Sequence, residues 1–524
     1  MLLDARMLSS CRHRLHLDRF DPAAAGLVES LGVRQRRDAA LAYREQVRAR
    51  LAAAAPDLVQ IDPELSVAQR AAATLAACAA GADRIWGGLL PSDPTTGRRG
   101  GAELLLRDTA HGGYRPVIVV NHKVTDPIGD GAPPASRAST SSVFDWDPQP
   151  DHDRKVRPQQ RDQLRLSHVY RMLQDQGLAS PAAVGGVIGY GSDRVLVHDL
   201  TPVLPEYDRR LADRLAVARG QLRTEPSRVG ECRDCSWWPR CSARLTELRD
   251  VSLVAPGSRA DVLRAVEVRT VDELARYTGA APPDWQYGAF DETVVTARAW
   301  LAGIPLIRRV ERVAVHRADV EVDVDLESYQ EHGAYLWGAL YQDRYLPFVT
   351  WDPLPTADEG RSFAEFWTWL IGVRQRTHAA GRTFAAYCYS RTAEDRWMYA
   401  SARRFAGRAG VPDEAEVRAF VDGPDWVDMY QAVNDQFICP QGKGLKKVAP
   451  VAGFAWRDPE AGGEASMQWY RAAVGYAGPD DPGQRRRLLE YNEDDVRATR
   501  RLREWMSEQA DISVPFAGDL GPPS

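Results

Sequence analysis

The chain has 524 residues, of which 44% are hydrophobic and 27% charged, a profile that fits two or three globular domains and excludes a disordered chain. Its formal net charge of -5 gives no overall pull on a polyanion, so nucleic acid would have to be held by local basic patches. No run of about 18 apolar residues occurs, and charges interrupt the opening Met1-Leu-Leu-Asp-Ala-Arg6, so neither a membrane span nor an export signal is read and a cytoplasmic protein is expected.

In chain order, Ala-rich segments at 36–55 and 66–81 have helical spacing. Glu103–Arg107 and Pro116–Asn121 read as strands on either side of a Gly112-Gly113 turn. Residues 125–158, rich in Pro, Gly, Ser and Asp, read as a long loop, followed by a helix over Leu164–Leu173 and strand character over Gly185–Leu200. Short helices are expected over 253–300. From Val313 the pattern turns to alternation, with strands at Ala334–Tyr341 and Tyr345–Trp351 and a further strand at Thr383–Tyr389. Thr392 has capping-box spacing to Asp395, and the last helix spans Gln484–Met506 with Leu489, Val496, Leu502 and Met506 on one face. The expected division is an α/β domain over 1–250, a helical connector over 251–305, a second α/β domain over 306–510 and a tail over 511–524. Basic clusters occur at Arg154–Arg165, Arg308–Arg312, Lys443–Lys447 and Arg485–Arg487.

Val320-Glu-Val-Asp-Val-Asp-Leu-Glu327 alternates strictly. Glu321, Asp323, Asp325 and Glu327 therefore share one face of a strand, about 7 Å apart, with no basic residue among them. Such a row is either a solvated edge or a site for hard cations such as Mg2+ or Mn2+. In the last helix, Tyr491-Asn-Glu-Asp-Asp495 places Tyr491 and Asp495 one turn apart on a common face. The tyrosine could hold an attacking water while the carboxylate binds metal.

The seven cysteines, an odd number in a long chain, do not suggest a disulfide framework. Cys78, Cys388 and Cys439 are isolated and read as buried small hydrophobes. Cys232-x2-Cys235-x5-Cys241 is a metal-binding spacing that needs a fourth ligand, for which Cys11 is the best candidate.

Together, Asp325-Leu-Glu327 and Tyr491-Asn-Glu-Asp-Asp495 resemble the DEDD exonucleases, and more closely the RNase H-like domain of RecB-like putative nucleases. The resemblance extends over about 313–510 and takes in Tyr335-Leu-Trp-Gly338, Trp426-Val-Asp428 and Lys443-Gly-Leu-Lys446. It implies Asp325, Glu327 and Asp495 as ligands for two Mg2+ or Mn2+ ions and Tyr491 as the water-orienting group. Glu394 would take the second-motif role, and Asp428 is a further candidate. Asp494, about 100° around the helix from Asp495, would lie outside the site.

One early cysteine and a distal trio likewise resemble the iron-sulfur staple of RecB-like nucleases. This implies a 4Fe-4S cluster on Cys11, Cys232, Cys235 and Cys241, with zinc as the alternative. The PD-(D/E)XK active site expected in such a domain is incomplete. Glu103 and Lys123 remain, but Asn121 cannot supply the charge that holds a metal. The first domain is therefore expected to bind DNA or to act as a scaffold.

The chain is thus expected to be a two-metal nuclease, acting 3'-to-5' and on DNA in preference to RNA. One alternative is an inactive nucleic-acid-binding repair protein, and another is catalysis at Glu103 and Lys123. A helicase or repair partner is expected on family grounds, although no Gly-x4-Gly-Lys-Ser/Thr loop is present in this chain.

Overall fold

The two glycines at 112 and 113 both have positive φ and turn the chain between β1 (Leu104–Arg107) and β2 (Tyr114–Val119). The computed structural model describes residues 1–128, 137–460, 462–476 and 478–522. It divides into units Met1–Leu245 and Thr246–Ser524.

In the first unit, β1, buried except at Arg107, and the fully buried β2 pair antiparallel near the middle of a nine-stranded sheet. β3 (Val184–Ile188) joins β2 in parallel, and β4 (Val195–Asp199) pairs antiparallel with β3. Helices α1 (Leu31–Ala54) and α2 (Val67–Ala79) begin where Ser30 and Ser66 accept from backbone N–H groups of their first turns. Residues 125–158, expected to be a loop, instead contribute strands at Thr125–Pro127, Arg137–Ser141 and Gln149–Val156, while 129–136 lie outside the described residues. The last of these is Gln-Pro-Asp-His-Asp-Arg-Lys-Val and mostly exposed, so no apolar alternation announces it.

Helix α3 (Gln160–Asp175) buries Leu164, Leu166, Val169, Tyr170, Met172 and Leu173. His168, on the same helix, lies 3.0 Å from the Arg99 carbonyl through Nε2 and 3.0 Å from the Tyr207 hydroxyl through Nδ1. A carbonyl can only accept, so Nε2 carries the proton and Nδ1 accepts from Tyr207 of α4 (Leu204–Ala218). Burial pushes this imidazole down to about 4.

In the second unit the stretch expected to be a connector packs as part of the unit, with Val251, Leu263, Leu274 and Ala297 buried, the last on α5 (Phe290–Leu301). The expected tail is docked as well, since the Arg308 N–H donates to the Pro515 carbonyl at 2.8 Å. Five strands follow in spatial order β7-β6-β5-β8-β9: β5 (Val320–Tyr329), β6 (Gly333–Tyr341), β7 (Arg344–Val349), β8 (Phe384–Cys388) and β9 (Trp426–Asp428). The first three are antiparallel, and β8 and β9 run parallel to β5. Positive φ at Gln342 and Asp343 closes the β6–β7 hairpin.

The apolar face of β5 and β6, with Val322, Val324, Trp337 and Ala339, packs on Phe363, Phe366, Trp367 and Leu370 of α6 (Glu359–Ala379). The acidic face meets α10 (Pro482–Glu508), which follows α7 (Arg391–Arg404), α8 (Met429–Gln436) and α9 (Gly463–Ala473). On α10 it is Leu488 that is fully buried, and Leu489 only partly. The capping box expected at Thr392 does not form. α7 starts after Ser390, and Asp395 instead accepts from Arg391 Nε at 2.6 Å and Trp426 Nε1 at 2.8 Å.

Candidate metal centre

The four acids of β5 share one face, and the rest of the chain answers only the first two with arginine. Glu321 meets Arg317 Nε at 2.7 Å. Asp323, 2% exposed, takes two bonds from Arg503 of α10 at 2.8 and 3.2 Å, and that guanidinium stacks 3.9 Å from the Tyr387 ring centroid. Asp325 and Glu327 form no ion pair with a basic side chain among the described residues. Asp325 Oδ2 accepts from Asn492 Nδ2 at 2.7 Å, and Asn492 Oδ1 accepts from the Tyr345 hydroxyl at 2.8 Å. Asn492 fits because Gly338 stands opposite Asp325 on β6, where a Cβ would lie 1.7 Å from Asn492 Oδ1. Glu327 accepts from the Tyr335 hydroxyl, and the strand register shifts immediately after it.

From α10, capped by Asp481 with Pro482 as its first residue, Asp495 reaches the same place. Its Oδ1 accepts from Trp456 Nε1 at 2.6 Å, and it also accepts from the Tyr491 hydroxyl one turn earlier. Lys446 Nζ lies 4.3 Å from the Tyr491 ring centroid and 5.4 Å from that of Trp456. One oxygen each from Asp325, Glu327 and Asp495 falls within 4.8 Å of the others.

Burial and mutual repulsion hold Asp325 well above the usual carboxylate range, and they push Glu327 up to about 8. Burial takes Asp495 to about 6, opposed by Trp456, Lys446 and Tyr491. Three carboxyls that resist ionisation together, with one lysine near them, form a donor set that a divalent cation would relieve. Oxygens at about 2.1 Å from one Mg2+ lie at most about 4.2 Å apart, so only a small contraction separates this trio from a ligand set.

Glu394, in the first turn of α7, stands outside the trio but raises both Asp325 and Glu327 through its charge. It is 3% exposed, its Oε2 has no hydrogen-bond partner, and burial pushes it up to about 8. Asp428 caps α8, with Oδ1 accepting from the N–H groups of Ser390, Tyr430 and Gln431 at 3.1, 2.9 and 3.4 Å. Asp494, outside the trio, pairs with Arg457 at 2.8 Å, and its charge raises Asp495.

In the first unit, Glu103 forms ion pairs with Arg165 and with Arg44 Nε, the latter at 3.1 Å, and accepts from the Val119 N–H at 3.2 Å. Lys123 is exposed. Cys11, Cys232, Cys235 and Cys241 are free thiols lining one cavity together with His13, Trp237 and Trp238. Burial raises Cys232, and it raises Cys241 to about 11, with the neighbouring cysteines adding to both. The two distant segments are tied by protein contacts as well, because the Cys11 N–H donates to Glu231 at 2.9 Å and Trp237 Nε1 to Asp18 at 2.6 Å. Cys78 and Cys388 are buried as expected, but Cys439 is partly exposed.

Residues 324–507 match the family model of the RNase H superfamily, a span that opens on β5 and closes in α10. The C-terminal domain is RNase H-like. Nucleases of this kind use divalent metals and act on nucleic acid, consistent with the acidic trio inside the matched span. No curated protein and no solved structure matches the chain. No described helix is long and apolar enough to cross a membrane.

Sequence reading missed three groups of this RNase H-like site. Asn492 sits inside the Tyr491–Asp495 motif and was passed over as a spacer, although its position three residues before Asp495 puts it on the same helix face. Lys446 belongs to a basic cluster and to the Lys443-Gly-Leu-Lys446 segment of the resemblance, neither of which gives it a role at the carboxylates. Trp456, in an aperiodic loop, gave no signal.

Proposed function

We propose that this protein is a metal-dependent nuclease, a 3'-to-5' exonuclease acting on DNA by hydrolysis in its C-terminal domain. The observation that carries this reading is the convergence of Asp325, Glu327 and Asp495 from a central strand and the final helix. Two Mg2+ or Mn2+ ions bound there would lower the pKa of the attacking water and stabilise the leaving oxygen. Asp325, Glu327 and Asp495 would hold them, with Glu394 as the further carboxylate whose unpartnered oxygen faces no protein donor.

Tyr491 keeps its phenolic proton, since burial and the surrounding carboxylates hold it far above its ordinary range. It therefore serves to orient a water and does not act as a base. Lys446 offers positive charge beside the carboxylates where a phosphate would arrive. Tyr335, Tyr345 and Asn492 fix the carboxylate positions through hydrogen bonds.

The test is degradation of a 5'-labelled single-stranded DNA in Mg2+ by wild type and Asp325→Asn. Loss should exceed the roughly 10–100-fold that removing a group behind a ligand costs, with the circular dichroism spectrum unchanged. A well-folded Asp325→Asn protein that digests DNA like wild type would end this assignment.

The same reading gives the four cysteines of the first unit a 4Fe-4S cluster, with zinc as the alternative. The quartet of free thiols lining one cavity supports a soft-metal site. Such a group would cross-link residues near 11 to those at 232–241. Purified protein should carry iron and absorb broadly near ~400 nm, and should lose both in Cys235→Ser. Colourless protein that contains zinc would decide for the alternative.

A further inference from the structure

The first unit carries a concave surface of its own. A pocket of about 360 Å3 is lined by Leu41, Arg44, Arg70, Trp86 and Glu103, among others, and by Gly101. A neighbouring pocket, which also includes Gly101, is lined by Arg6, Arg99 and Arg165. The shared floor has no side chain because a Cβ on Gly101 would meet the Gly88 carbonyl oxygen at 2.0 Å.

Five arginines therefore border one continuous groove. Three acids line it as well: Glu45 is paired with Arg48, Asp4 with Arg99 at 3.5 Å, and Glu103 is shared by Arg44 and Arg165, so five arginines face three carboxylates. Arg70 donates to the Gly87 carbonyl at 3.2 Å and has no carboxylate partner among the described residues. The buried Arg70 Nε lacks a hydrogen-bond acceptor. Charge of this sign repels a metal ion and attracts phosphate, while Leu41 and Trp86 provide an apolar wall for a base.

We propose that this groove binds the phosphodiester backbone of a single nucleic-acid strand through arginine alone, without metal. The inference rests on the proposed function only in taking a nucleic-acid strand as the ligand. The experiment is fluorescence anisotropy of a labelled 20-nucleotide DNA with the full-length protein in EDTA, across a salt series.

Wild type should bind in EDTA. Arg44→Gln combined with Arg70→Gln should bind roughly tenfold more weakly, with a salt slope shallower by about 1.4, since two phosphate contacts on a single strand are lost. Arg70→Glu serves as a second variant, because Arg70 has no acidic partner whose loss would disturb the fold, and it should weaken binding at least as much. Unchanged affinity and slope in Arg70→Glu would overturn the proposal. So would wild-type binding that EDTA abolishes, or a mononucleotide that binds as tightly as the 20-mer. Absence of Mg2+-dependent cleavage alongside intact binding in EDTA would count against the catalytic reading alone.

Discussion

A single missing side chain decides how the carboxylate trio is built. Gly338 leaves the space into which Asn492 reaches to hold Asp325, a contact spanning 167 residues of sequence. Gly338→Ala should destabilise the protein by about 1–3 kcal/mol through overpacking, read from the urea midpoint, and should lower activity as well. Asn492→Ala causes no clash but leaves Asp325 and the Tyr345 hydroxyl without their partner, so it should cost about 1–3 kcal/mol and reduce kcat/KM by roughly 10–100-fold. Equal kcat/KM in Asn492→Ala and wild type would show that Asp325 needs no support. Asp325, Glu327 and Asp495 were legible in the sequence because strand alternation and helical spacing are local rules that put acids on one face. Trp456 and the role of Gly338 were not, since each is defined only by a neighbour brought in by the fold. Glu394 was legible as a position in a first turn, but its distance from the trio was not.

Between elements, β5 and α10 are clamped by Asp323 and Arg503, both within 2% of full burial. Breaking such a pair on one side leaves an uncompensated interior charge, so Arg503→Met should cost about 3–5 kcal/mol. Adding Asp323→Leu should restore much of that loss, as measured by urea unfolding of the two variants. A second contact between elements, His168 of α3 against Tyr207 of α4, predicts a pH dependence. Its folded pKa of about 4 lies below the ordinary 6.5, so the unfolded chain binds more protons between those values. The contribution, about 3 kcal/mol, is complete above pH 6.5 and is lost as pH falls towards 4, and His168→Gln should flatten that limb of the stability curve. Most helices and central strands were legible because their apolar residues repeat with the right period. The strands within 125–158 were not: Gln149–Val156 is polar and mostly exposed, and Arg137–Ser141 buries Ala, Thr and Ser instead of large apolar residues.

At the scale of the whole chain, the proposed Mg2+ site draws all its ligands from the second unit. Saturating Mg2+ at a hundred times its Kd should stabilise the second unit by about 2.7 kcal/mol, seen as slower hydrogen exchange in β5 and α10. Asp325→Asn should abolish that protection. Equal protection in the variant would place the ion elsewhere. Composition and motif placement put the end of the first domain at 250, close to the division between Leu245 and Thr246. The helices after Val251 look like a linker in sequence because they are short, yet they bury apolar residues in the second unit.

The contact between Cys11 and Glu231, 220 residues apart, bears on how the protein is made. During synthesis the Cys11 N–H and the Asp18 carboxylate must wait for their partners until Glu231 and Trp237 have left the ribosome. For most of the translation of the first unit, Leu15 and Leu17, buried in the finished molecule, lack the surroundings that cover them. A chaperone that holds nascent chains should therefore crosslink to this opening segment early in elongation and release it once the cysteine trio emerges.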